Sequence, residues 1–287
     1  YKLGNDIFIG YSPERENPGD KNFSYLKTPK IVSGKTKNCL MLTEAIYKII
    51  VKKIHSVQSI ESAEMSKLLE NTYRAVNISM INEVKIICDR LKIDVYEVIK
   101  AAATKNFGFT RFDPGPGIGG HCIPIDPIYL SWRSIQSGYK PKFIQTSSEL
   151  ARKIPHWINK KIKNFFKKKK QKIKKILLVG VSYKPDVGDD RESPAFEIMR
   201  ILKRENISFD YHDDYFDILR IGRNNKFKKK NIKLSNSNLK KYQCCLIITN
   251  HSYIDYEKLI KGSKFVFDAR GSTLKFKDKY NNKLIYC

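Results

Sequence analysis

Acidic residues are what this sequence is short of: 29 Asp and Glu stand against 55 Lys and Arg, a formal charge of +26. A surface so basic attracts anions, whether phosphorylated small molecules, nucleic acid or anionic lipid. The basic runs, however, lack the interleaved aromatics on which single-strand binders stack bases. The excess is mostly lysine, set among many Asn and Ile, which reads as solvated faces, so no nucleic-acid partner is expected. No apolar run approaches the ~18 residues of a membrane span, and no secretory signal is visible, so no membrane partner is expected either. The six cysteines, Cys39, Cys88, Cys122, Cys244, Cys245 and Cys287, include no C-x-x-C and no regular spacing. A chain this long does not need a disulfide framework. Reduced thiols, a cytoplasmic setting and no metal are expected.

What is present is enough for about two domains: 287 residues, 41% hydrophobic and 11% aromatic. "DIFIGYSPERENPGD" reads as a strand running into a Pro/Gly loop, "KIVSG" as another strand, and residues 37–52 as a helix. Over residues 62–91 Met65, Leu68, Leu69, Val76, Met80, Val84, Ile87, Cys88 and Leu91 recur at three- and four-residue steps. That is one long amphipathic helix, ~45 Å at 1.5 Å per residue. Asp94 with Glu97 forms a capping box for a further helix to about Ala103, and helical signals run from Tyr129 to about Phe166. Ten of the sixteen residues over 160–175 are lysine, a linker or the solvated end of a helix. Beyond it "KKILLVGVSYK", "ISFDYHDD", "YQCCLIITNHS" and "KFVFDARG" read as strands and "ESPAFEIMRILKRENI" as a helix, an alternation that implies parallel βαβ units. The expected fold is α/β in three parts: a short α/β piece, a helical middle, and a Rossmann-like end.

The stretch "PGPGIGGHCIPIDP", residues 114–127, concentrates Gly and Pro around a His-Cys pair. Gly115, Gly117 and Gly120 satisfy G-x-G-x-x-G, but the dinucleotide fingerprint needs a strand before it and a helix N-terminus after it. "FTRFDP" precedes, and Pro124 removes an N–H where the helix should start. The glycines instead permit close backbone approach, to a ligand or within a tight turn. Cys122 stands among polar and flexible residues, unlike Cys39 and Cys88 on apolar helical faces or Cys244 and Cys245 in a strand. It is the candidate nucleophile. His121 is adjacent in sequence, where side chains often point apart. Lys67 and Asn71, four apart, share one face of the long helix; alone they would be a solvated stripe, as "SPER" alone would be a charged loop.

Taken together, "YSPERENPGD", "SAEMSKLLENTYRAVNISMINEVKIICDRLKIDVYEVIKAA", "PGPGIGGHCIPIDPIYL" and "GVSYKPDVGDDRESPAFEI" resemble, in this order, the nucleotide-sugar dehydrogenases, with the UDP-N-acetylglucosamine 6-dehydrogenase branch as the nearest likeness. The resemblance implies two hydride transfers to NAD, taking a sugar C6 alcohol through an aldehyde to a carboxylate during polysaccharide precursor synthesis. Cys122 matches the cysteine that attacks the aldehyde; the thiohemiacetal becomes a thioester, which water cleaves. Lys67 and Asn71 match residues that stabilise developing oxyanion charge. Asp126 matches a carboxylate that orders water or relays protons, and Glu14 one that supports thioester hydrolysis. For UDP-sugar binding the matching positions are Arg15, Gly115, Gly117, Gly119, Gly120, Lys184 and Arg270, and for the cofactor Arg191. The implied domains are 1–56, the remnant of an NAD-binding Rossmann domain; 57–155, a helical middle domain with dimerisation and catalytic roles, resembling the C-terminal domain of 6-phosphogluconate dehydrogenase; 156–175, a basic helix end or linker; and 176–287, the UDP-sugar-binding Rossmann-like domain. A homodimer or higher oligomer is implied.

Two departures bear on the substrate. Ile125 stands where many relatives carry Lys, and Asn106-Phe107-Gly108 where others carry Arg-Ile-Gly with an arginine that reaches a neighbouring subunit's substrate; Arg111 is the candidate replacement. The sugar therefore stays open among UDP-N-acetylglucosamine, UDP-glucose, UDP-N-acetylmannosamine and GDP-mannose. The family's strand–G-x-G-x-x-G–helix has no counterpart here, and the sequence opens at Tyr1 just before "SPER". The expectation is a fragment or split partner that needs a separate NAD-domain chain. The alternative is an inactive remnant that binds UDP-sugar or dimerises.

Overall fold

The structure, a computed structural model, describes residues 1–16, 27–219 and 227–287; residues 17–20, which end the first family-like motif, lie outside the described residues. The chain divides into two compact units, Tyr1–Tyr73 and Arg74–Cys287.

In the first unit β1 (Gly10–Tyr11) runs antiparallel to β2 (Lys30–Gly34), which pairs in parallel with β3 (Ile54–Ser56). The connection is α1 (Lys37–Ile50), capped by the Thr36 side chain, which accepts from Cys39 N–H. The strand expected from "DIFIGY" shrinks to two residues, because the N–H groups of Asp6 and Ile7 turn back onto Lys2 O instead of entering a ladder. The next helix, α2 (Ile60–Leu91), is the long one its periodicity demands, and it carries the chain into the second unit.

There the chain leaves α2 through Lys92, whose φ of 61° stops the helix. It re-enters α3 (Val95–Ala102), where Asp94 accepts from Tyr96 N–H at 2.9 Å. The helical stretch expected over 129–166 is in fact two helices, α4 (Asp126–Gln136) and α5 (Lys142–Lys168), with Gly138 and Pro141 between them. α4 begins three residues early because Cys122 O accepts the N–H groups of Ile125 and Asp126 at 3.0 and 2.8 Å. Pro127 fits its first turn, where a missing N–H is no loss. The lysine run is helical to Lys168: Ile154, Ile158, Ile162 and Phe166 bury one face of α5 while lysines cover the other, Lys161 meeting Asp89 and Lys163 meeting Glu205.

After α5 come β4 (Lys175–Val179), α6 (Pro194–Arg204), β5 (Ser208–His212), the antiparallel ribbon β6 (Ile218–Leu219) and β7 (Lys229–Lys230), α7 (Asn236–Leu239), β8 (Cys244–Ile247), α8 (Tyr256–Gly262), β9 (Val266–Asp268) and β10 (Leu284–Tyr286). Five strands form a parallel sheet in the order β10-β9-β8-β4-β5. Their alternation fills two layers. Ile176, Leu178, Leu246 and Phe267 join the core with α5 and α6, whereas Leu177, Val179, Ile247 and Val266 join that with α7 and α8. In this doubly wound order the strand succession reverses between β4 and β8, and the crevice beyond their carboxyl ends is where such folds bind ligands. Among the described residues, no helix is long and apolar enough to cross a membrane.

One buried cation ties α2 to this sheet. Lys85 is 4% exposed and donates to Ala269 O at 3.2 Å and to Cys287 O. Burial pushes its ammonium down to about 8, against about 10.4 in an unfolded chain. Between these values the unfolded state binds the extra proton, so this group's contribution to stability rises with pH. The difference in unfolding free energy between wild type and Lys85→Met should therefore grow by about 2 kcal/mol from pH 7 to pH 9.5 in urea titrations. A difference that does not change with pH would refute this.

Candidate active site

The glycine loop is anchored at its start by α2: Gly115 N–H donates to Asn82 Oδ1 at 2.9 Å, with both groups buried. From there it is pressed against the C-terminal sheet domain. A Cβ on Gly115 would fall 2.6 Å from a terminal nitrogen of Arg270, and one on Gly119 would fall 2.8 Å from Tyr183 Cβ. Gly120 N–H donates to Arg191 O at 3.0 Å, and Gly117 lies against Pro194 and Ala151. The close approach these glycines permit is thus first of all to protein. They let the loop lie on the segment 181–194 that leaves β4.

This arrangement brings together several residues singled out in the sequence. Arg270, just past β9, donates through Nε to Ile248 O at 2.9 Å, and its cation sits over Gly115 at the sheet's reversal point. Burial brings its guanidinium down to about 10, so it stays charged at neutral pH. Lys184, half-exposed, rides on the same segment as Tyr183. Arg191 is clamped by Asp189 at 2.6–3.0 Å; burial opposes the Asp189 charge, but Arg191 outweighs it and holds that carboxyl below its usual range.

Cys122 ends the loop, exposed, with Sγ 3.9 Å from His121 Nδ1. Both Tyr183 and Arg191 lie near enough to feel a charge on that sulfur. The other five cysteines are buried, four of them, Cys39, Cys88, Cys244 and Cys245, as their apolar settings led one to expect. Asp126 is the first residue of α4.

The remaining candidates belong to the first unit. Lys67 is half-buried and Asn71 buried, four residues apart on α2. Arg15 bridges to Glu70 at 2.7 Å and donates to Pro29 O, which sets "SPER" beside this face of α2. Glu14 meets Lys30 Nζ at 2.9 Å and accepts from the N–H groups of Arg15 and Glu16. Burial works against its charge, yet these partners hold the carboxyl below its usual range.

A cavity of about 500 Å³ lies behind the loop, among Ser79, Gly117, Ile123, Arg152, Pro194 and Arg200. It is lined by none of Cys122, Lys184 and Arg270. Sequence reasoning missed Asn82 and Tyr183. The signal for Asn82 was a polar residue at core spacing from Ala75 and Ser79 on α2. Tyr183 had none beyond its place beside Lys184.

Residues 61–152 match the central domain of the UDP-glucose/GDP-mannose dehydrogenase family, and 177–275 match its UDP binding domain. The chain belongs to this family. It is 33% identical over 93% of its length to protein CapL of Staphylococcus aureus, and 36% identical over 75% to the UDP-N-acetyl-D-glucosamine 6-dehydrogenase of Pseudomonas aeruginosa. It spans 64% and 51% of those relatives. The solved UDP-D-ManNAc dehydrogenase of Pyrococcus horikoshii superposes over 93% of this chain and 62% of its own, with a TM-score of 0.80 and 25% identity. The sheet and helical layout is therefore that of a nucleotide-sugar dehydrogenase, and the crevice at the reversal point falls in the family's UDP binding domain.

Proposed function

We infer that this chain supplies the substrate-binding and nucleophile-bearing part of a nucleotide-sugar 6-dehydrogenase acting on a UDP-N-acetylhexosamine, with UDP-N-acetylglucosamine the first candidate. The observation that carries this reading is an exposed cysteine at the end of a loop clamped between Asn82 and Arg270 of the UDP-binding crevice. Arg270 and Lys184 supply cations for the diphosphate. Cys122 adds through its thiolate to the C6 aldehyde: a C–S bond forms, the carbonyl π bond breaks, and the oxygen takes up negative charge and then a proton. Lys67 and Asn71 are assigned to that oxyanion, Asp126 and Glu14 to water and proton handling, and Arg15 to the sugar nucleotide.

Both oxidations need a hydride acceptor, and NAD is the family-like choice. The described residues do not fit it. The glycines of the only G-x-G-x-x-G are covered by Arg270, Pro194 and Tyr183, and a Cβ on Gly34, at the turn from β2 into α1, would fall 2.2 Å from Leu40 N. Hydride transfer is accordingly assigned to none of the described residues, and the NAD site to a separate segment or chain, with Arg191 reaching toward it. A second copy is the proposed partner for the long helix α2, which exposes Met80, Ile87 and Leu91.

Isothermal titration of the purified chain tests the reading. UDP and UDP-N-acetylglucosamine should bind with dissociation constants on the order of 10–100 μM, NAD should give no heat at millimolar concentration, and light scattering should weigh a dimer. Absence of UDP binding, or micromolar NAD binding, would overturn it; a one-copy mass would remove the dimer.

A further inference from the structure

The geometry points to His251 and Asp213 as a positioning pair that fixes the segment 181–191, and through it Tyr183, Lys184 and Arg191, in the crevice. The inference rests on the reading that this segment grips the nucleotide. Both side chains are fully buried. Asp213 follows β5 and His251 follows β8, on either side of β4. Asp213 Oδ2 accepts from Val181 N–H at 2.7 Å, Ser182 N–H at 2.9 Å, Ser182 Oγ at 3.0 Å and His251 Nε2 at 3.0 Å. At the other edge of the ring, Asp186 N–H donates to His251 Nδ1 at 3.0 Å.

A backbone N–H can only donate, so Nδ1 must carry a lone pair and the ring's single hydrogen must sit on Nε2, pointing at Asp213. The neutral imidazole is thereby a two-ended spacer. One end reads the first residues of the segment through Asp213, and the other reads Asp186, two residues beyond Lys184. Asp186 has a left-handed φ of 59° and its carboxylate accepts from Ser252 N–H at 2.8 Å. The turn is therefore locked to the β8 loop at two points. Tyr253 stacks on the ring with centroids 5.1 Å apart. Tyr183 in turn packs on Gly119 and Gly120, two residues before Cys122. His251 therefore holds the nucleotide segment directly at Asp186 and the cysteine loop only through Tyr183.

Two substitutions separate its ends, because Asn Oδ1 takes the place of Nδ1 and Gln Nε2 that of Nε2. His251→Asn keeps an acceptor for Asp186 N–H and gives up only one of the four bonds to Asp213 Oδ2. His251→Gln keeps the Asp213 bond and leaves Asp186 N–H without its acceptor. We expect His251→Gln to weaken UDP binding at least tenfold in calorimetry and to speed hydrogen exchange at the Asp186 amide at least tenfold. His251→Asn should stay within threefold of wild type in both. Equal behaviour of the two variants in exchange, whether both loosened or both unchanged, would overturn the proposal, because a packing role alone treats them alike. Exchange is read in the free protein. If the wild-type chain binds no UDP, the functional reading fails, while the exchange difference still decides the positioning role.

Discussion

Iodoacetamide at pH 7.5 is expected to modify one of the six cysteines of the native chain, Cys122, long before any other. Cys122 alone is exposed. Cys245 and Cys287 are pushed up to about 12, and Cys244 is well above its usual value, all first by burial. A thiol at about 12 is ionised to a fraction of only ~10⁻⁴ to 10⁻⁵ at this pH, and the thiolate is the reacting species. These three are protected twice, by ionisation and by access. Cys39 is protected once. Thr36 Oγ1 lies 3.1 Å from its sulfur and Ile9 N–H donates to it, so its pKa is lowered, chiefly by Thr36. Only its burial keeps it inert, and it should react ahead of Cys244, Cys245 and Cys287, whenever the first unit opens locally. Intact-mass kinetics should show one fast adduct, none in Cys122→Ser over the same interval, and six in concentrated urea. UDP-N-acetylglucosamine should slow the fast adduct about tenfold if the loop takes part in sugar binding. Fast labelling of two or more native thiols would contradict the burial argument. Fast labelling that UDP-N-acetylglucosamine leaves unaltered would favour a binding module whose cysteine is a bystander.

The parts of this molecule that were legible in the sequence are those that repeat. α2 announces itself through thirty residues of three- and four-residue spacing, and β4 through an apolar run too short for a helix. Cys122 was separable from Cys39, Cys88, Cys244 and Cys245 because it stands in a polar, flexible stretch while they fall on apolar helical faces or in a strand. What could not be read depends on contacts between distant segments. β10 is three residues long, and it is a strand only because β9 lies beside it. Its own letters, Leu-Ile-Tyr, would fit many loops. The start of α4 was placed late because it is set by the Cys122 carbonyl rather than by a side-chain cap. The glycines changed most in meaning. Sequence shows that a backbone position must approach something closely but not what, and here the neighbours are Arg270, Pro194 and Tyr183. His251 had no local signature at all, since its two partners come from the residue after β5 and from the segment after β4.

The same limit on glycine makes Gly180→Ala a severe single-methyl test of this fold. Gly180 ends β4 at the reversal point. Its N–H donates to His212 O at 2.8 Å, its φ is +83°, and a Cβ there would fall 2.5 Å from Thr249 O and 2.8 Å from Thr249 N. Both colliding atoms are backbone of the segment leaving β8, so no rotamer change relieves them. A left-handed alanine costs ~1–3 kcal/mol, and forcing apart a packed backbone pair costs about as much again. The expected loss is about 3–5 kcal/mol, or roughly 10 °C in Tm for a unit of this size. Two other glycines resolve the sum into its parts. Gly138, at φ +90°, has nothing within 4 Å of its Cβ position, so Gly138→Ala isolates the dihedral cost at about 1 kcal/mol. Gly188 has its nearest neighbour, in the Tyr215 side chain, at 3.7 Å and needs no left-handed φ, so Gly188→Ala should lie within about 0.5 kcal/mol of wild type. Urea titrations of the three variants should rank Gly180 far above Gly138, and Gly138 above Gly188. If Gly180→Ala fell within about 1 kcal/mol of Gly138→Ala, the β4 and β8 ends would not be in backbone contact. The crevice assigned to the nucleotide would then have no fixed floor. If the ranking holds, the residual UDP affinity of Gly180→Ala at low temperature should also fall, because the displaced segment is the one that bears Tyr183 and Lys184.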